Sequence, residues 1–84
     1  MNEIVTKGRI TALLGRRQMT TGERLSLRRL ADMAQVPKDF LYRLDAGQAR
    51  YVDLDALARL CLVLQCRLED ILVWQYDRQH EQSV

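Results

Sequence analysis

Apolar residues recur along the chain at intervals of three and four, the spacing that puts side chains on one face of an α-helix. No stretch shows the strict alternation of a half-buried strand. Five short helices are predicted. The first spans Ile4 to Arg17, with Val5, Ile10, Leu13 and Leu14 turned inward. Gly8 and Gly15 lie inside it, each costing up to about 1 kcal/mol relative to alanine. Gln18 to Leu25 (QMTTGERL) reads as a loop punctuated by Gly22. Ser26 then offers its hydroxyl to the free N–H groups of a following turn. Leu27, Leu30, Ala31 and Ala34 form the apolar stripe of a second helix, which ends at Met33 or Ala34.

Ala34-Gln35-Val36-Pro37 is a tight break, because proline holds its predecessor extended and suits the first turn of a new helix. The third helix starts at Pro37 or Lys38 and stops at Gly47, the residue best able to take a left-handed cap. Gln48 to Val52 is a loop. Asp53 caps a fourth helix running to Leu64, with Leu54, Leu57, Ala58, Leu60, Cys61 and Leu64 turned inward. Gln65-Cys66 breaks it. A fifth helix runs from Arg67 to Trp74, with Glu69 and Asp70 near the positive end of its dipole. Residues 1–76 thus form one all-α domain, and 77–84 a polar tail expected to fray.

Composition narrows the classes. With 84 residues, 48% hydrophobic and 29% charged, the chain is an ordinary small globular domain. No apolar run approaches the ~20 residues of a membrane span, and MNEIVTKGRI has no apolar segment of the signal-peptide kind. Two cysteines do not make a disulfide scaffold. Cys61, Cys66 and His80 at this spacing do not make a zinc site, so free thiols and no metal are expected. A lone tail histidine assembles no nucleophile–base set, and there is no glycine-rich phosphate loop. No enzyme activity, cofactor or small-molecule substrate is therefore expected. The length favours a binding module.

The formal charge of +2 conceals an uneven distribution. Residues 7–50 carry ten basic groups against four acids, a net +6, whereas residues 51–84 carry three against six, a net −3. A basic half suggests a polyanionic partner.

That half contains Ser26 to Gly47: helix, break of four residues, helix ending in glycine. This is a helix-turn-helix layout. Small Ala31 sits where two helices cross steeply, and Val36 plugs the turn. On the third helix Phe40, Leu41 and Leu44 share one side, while Lys38, Asp39, Tyr42, Arg43 and Ala46 share the other. An α-helix fits the DNA major groove. Arg43 has the fork to bind guanine O6 and N7, a contact giving about 1–3 kcal/mol of base discrimination. Lys38 can reach the same atoms or a phosphate. Asp39 can accept from a cytosine amino group or simply serve the helix N-terminus. Tyr42 suits a phosphate or a thymine methyl. The bland alternative is a solvated helix surface.

LSLRRLADMAQVP followed by KDFLYRLDAG resembles the lambda repressor/Cro-type (XRE) helix-turn-helix family. VDLDALARLCLVLQCRLEDIL resembles that family's next two helices. The resemblance covers roughly residues 5–73. It implies a five-helix, lambda-repressor-like domain that binds double-stranded operator DNA, represses transcription, acts as a homodimer and works in the cytoplasm at the nucleoid. By position it implies DNA contacts from Ser26 and Arg28 at the start of the second helix. Lys38, Asp39, Tyr42 and Arg43 follow on the third, and Arg50 in the loop after it. Ser26 and Arg50 would face phosphates, which position without specifying. Leu27 stands where the family often has glutamine, Pro37 where it has a serine or threonine cap, and Phe40 where a small polar residue is common. Gln35 replaces the turn glycine, so glutamine must hold a left-handed backbone there. Leu27 and Phe40 add apolar surface, which raises an alternative: the same fold as a protein-interaction module, an antitoxin or phage-type regulatory partner that does not read DNA.

Ile71, Leu72, Val73, Trp74 and Tyr76 form an apolar end to the fifth helix. They either close the core or make a symmetric dimer patch through Ile71, Val73, Trp74 and Tyr76.

Overall fold

The structure is a computed structural model and describes residues 3–75. In chain order the elements are β1 (Glu3–Val5), α1 (Arg9–Thr21), α2 (Leu27–Ala34), α3 (Lys38–Asp45), α4 (Leu54–Leu64), α5 (Leu68–Ile71) and β2 (Val73–Gln75). Among the described residues the fold is mostly helical, with five helices and a small antiparallel ribbon in which Glu3, Ile4 and Val5 face Gln75, Trp74 and Val73.

The ends of the chain depart from expectation. Ile4 and Val5 are in a strand, because Gly8 takes the left-handed region at φ 73 and delays the helix to Arg9. The far end of α1 runs past Arg17 to Thr21 and stops at Gly22, whose φ is 76. Nothing between breaks it: Thr20 and Thr21 donate their hydroxyls back to the carbonyls of Arg16 and Arg17 at 3.0 and 2.9 Å. The fifth helix is a single turn, since Leu72 leaves it extended at φ −100, ψ 91 and Val73–Gln75 pairs with β1.

The middle follows its local signals. The Ser26 hydroxyl accepts from the Arg29 N–H at 3.1 Å, and the Asp53 carboxylate from the Asp55 N–H at 2.9 Å. Gln35 holds φ 57, and its neighbour Val36 donates its N–H to the Ala31 carbonyl at 3.0 Å. In α4 the buried residues are Ala56, Leu57, Leu60 and Leu64, so Leu54 and Ala58 face outward, Leu54 at 71% exposure. Cys61 is half-buried. Apolar residues surround most of α4, and its sequence alone leaves the phase of its buried stripe undetermined.

Helix α1 packs on α3, α4 and α5, and α2 on α3 and α4. Ile10, Leu30, Leu41, Leu44, Leu57, Leu60 and Ile71 are fully buried where these helices meet. Each such side chain stabilises by about 1.5–3 kcal/mol through burial. Three arginines close helix ends. Arg59 Nε donates to the Ala34 carbonyl at the end of α2, at 3.1 Å. Arg9 Nε donates to the Asp70 carbonyl in α5, at 2.9 Å, and Arg17 to the Val63 carbonyl near the end of α4. A cation there satisfies orphan carbonyls and opposes the negative end of the dipole.

Candidate nucleic-acid interface

The outer face of α3 is built by its inner face. Leu41 and Leu44 are fully buried and Phe40 is half-buried against the core, which leaves Lys38, Asp39, Tyr42, Arg43 and Ala46 in solvent. Pro37 precedes the helix at φ −61, ψ 137, and no side chain caps it. Asp39 in the first turn therefore supplies the negative charge that such a terminus favours.

The C-terminal end of α3 is tied to the start of α1. Gly8, the residue before α1, has no side chain to cap it. Asp45 does so from across the fold: its carboxylate accepts from the Thr11 N–H at 3.0 Å and the Thr11 hydroxyl at 2.6 Å. Its carbonyl accepts from the Gly8 N–H at 2.8 Å. One residue thus caps α1 and fixes the orientation of α3. Just beyond, Gly47 takes φ 76, and a Cβ there would stand 2.9 Å from Lys7 Cβ. Gln48 closes the turn by donating its N–H to the Arg43 carbonyl at 2.9 Å.

Around α3 the basic groups divide in two. Arg9, Arg17 and Arg59 are occupied by helix ends, and Arg16 and Arg67 lie 3.9 and 3.8 Å from Asp70 and Glu69. Among the described residues, the side chains of Arg28, Lys38, Arg43 and Arg50 form no hydrogen bond or ion pair within the chain. All four are exposed, as are Lys7, Arg24 and Arg29, whose side chains likewise pair with nothing among the described residues. Arg28 is in the first turn of α2, Lys38 and Arg43 on α3, and Arg50 in the loop that follows. Their charges are left for something outside the molecule.

Two shallow grooves flank Arg43. One, about 370 Å³, is lined by Phe40, Arg43, Gln48, Ala49, Arg50 and Tyr51. The other, about 420 Å³, is lined by Asp39, Tyr42, Arg43, Ala46 and Gln48. Gln48 and Tyr51 were not among the expected site residues. Tyr51 is 92% exposed, an unusual position for an aromatic side chain, and it lies next to Arg50. Their place directly after the glycine that ends α3 was the available signal. Leu27 and Phe40, which suggested an apolar protein-binding face, are both half-buried against the core.

Of the four residues expected at a dimer patch, Ile71 is a correction: it is fully buried within its own chain. Val73 is half-buried, Trp74 is 47% exposed, and Tyr76 lies outside the described residues. The expected tail, 77–84, lies outside them as well. Among the described residues, no group of three or more histidine, cysteine, aspartate or glutamate side chains is placed to hold a metal ion, and no helix is long and apolar enough to cross a membrane.

Residues 9–77 match the family model described as the Cro/C1-type HTH DNA-binding domain. No curated protein and no solved structure matches the chain.

Proposed function

The chain belongs to the Cro/C1-type helix-turn-helix DNA-binding domains, and on that footing we propose that it is a repressor that lays α3 in the major groove of an operator. The observation that carries this reading is the face of α3: Lys38, Asp39, Tyr42 and Arg43 exposed together, on a helix anchored through Asp45. Arg43 binds guanine O6 and N7 through its two-pronged guanidinium. Lys38 reaches a base edge or phosphate beside it, Asp39 a cytosine amino group, and Tyr42 a thymine methyl. Ser26, Arg28 and Arg50 hold phosphates on either side, which sets the register of the helix without specifying sequence.

The active form in this reading is a homodimer, whose two recognition helices meet half-sites about 34 Å apart in a roughly palindromic operator. The pairing surface is the outer face of the ribbon, where Trp74 stands opposite Ile4, itself 56% exposed. Tryptophan is enriched at the energetic centres of interfaces.

The experiment is selection of duplexes from a random library, followed by binding of the Arg43→Ala and Arg50→Ala variants to selected and random sequences. Loss of Arg43 relaxes preference at one base pair, by about 1–3 kcal/mol, and loss of Arg50 weakens all sequences alike. Equal loss of preference in both variants contradicts the assignment of roles.

A further inference from the structure

Helix α4 ends in a motif that brings Cys61, in its last turn, close to Cys66, two residues past its end. Gln65 takes the left-handed region at φ 52, and the Cys66 N–H donates to the Cys61 carbonyl at 3.1 Å. In this kind of helix ending, the second residue past the cap meets the side chain one turn back. Here those two residues are cysteines, so the helix ending brings two thiols to the wall of one groove. Both are half-buried, and both line an apolar groove of about 550 Å³ with Leu54, Ala58, Leu62 and Leu68. The groove shares no residue with those flanking Arg43.

Burial, then the neighbouring Cys61 thiol, pushes the Cys66 thiol up to about 12. Cys66 is therefore protonated at neutral pH, and a protonated thiol is a poor nucleophile toward peroxide. A ligand that suits this pair takes both protons away as it binds. Two thiols lining the same groove also favour a bent chelate, with both on the same side of one soft atom, over a linear ion that needs them on opposite sides.

We propose that Cys61 and Cys66 form a dithiol site for trivalent arsenicals, the soft oxygen-bound thiophiles that condense with two thiols at once. As the site fills, the bond from arsenic to oxygen breaks and two arsenic–sulfur bonds form. The two thiol protons leave with the oxygen as water, and no electrons are transferred to or from an external partner. The groove beside the thiols accommodates an apolar third substituent on arsenic.

Phenylarsine oxide is the probe. Added to the folded 84-residue chain, it should give one phenylarsenic per molecule in the intact mass, with loss of one water and no thiol left to titrate. The adduct should survive excess glutathione, a monothiol, and be released by dimercaptopropanol, a dithiol. Cys61→Ser and Cys66→Ser each remove one of two linked attachments, and retention against glutathione should fall by about 10²–10⁴-fold. Circular dichroism checks that the variants remain folded, and Cys61→Ala and Cys66→Ala replace any that do not. A wild-type adduct stripped by glutathione as fast as those of the single variants, or one that leaves a thiol titratable, overturns the proposal.

Discussion

At Gly47 two constraints fall on one residue. The backbone is left-handed at φ 76, which costs a residue with a Cβ about 1–2 kcal/mol, and that Cβ would press on Lys7. Gly47→Ala should therefore destabilise the domain by at least that amount in chemical denaturation, and weaken DNA binding as the end of α3 shifts away from the segment before α1. An unchanged midpoint would show that the contact is not needed. The glycine itself was legible as a helix stop, and so was the left-handed Gln35, through the family's turn glycine at that position. Asp45 was not. Nothing local marks a carboxylate that caps a helix 34 residues earlier in the chain, because the bond exists only after α1 and α3 have packed. The pairing of Arg59 with the end of α2 was hidden for the same reason.

Elements with punctuation at both ends were readable. Ser26 starts α2, Pro37 and Gly47 bracket α3, and Asp53 starts α4, each acting through atoms a few residues away. The ribbon had no such marks. Three residues give no measurable alternation, and their partners lie at the other end of the chain. The same limit misplaced the start of α1 and stretched α5. The ribbon is also where pairing of two copies is proposed, and it gives an element-scale test. Sedimentation at micromolar concentrations should show wild type as a dimer and Trp74→Glu as a monomer, with the helical circular dichroism of the two superimposable. A monomeric wild type would exclude the ribbon as a pairing surface.

Over the whole molecule, the basic groups have two uses. Among the described residues, those on α1 and α4 close helix ends and pair with acids, whereas Arg28, Lys38, Arg43 and Arg50 on the surface around α3, like Lys7, Arg24 and Arg29, are exposed and pair with nothing in the chain. The charge asymmetry between the two halves of the chain was legible, and so was the helix-turn-helix at its centre. Which cations serve the fold and which face outward was not, since arginine is equally at home in both settings and only the packed structure separates them. The exposed set makes a quantitative prediction. If Arg28 and Arg50 of each of two chains face phosphates, four contacts release counterions, and the log–log slope of DNA affinity against salt should be about −3.6.

That slope is the most direct test of the claim that the surface around α3 binds DNA. Binding of the chain to a selected duplex, measured across a salt series, should weaken steeply with a slope near that value, and Arg50→Ala should flatten it. Absence of binding at low salt, or an affinity indifferent to salt, would contradict the account.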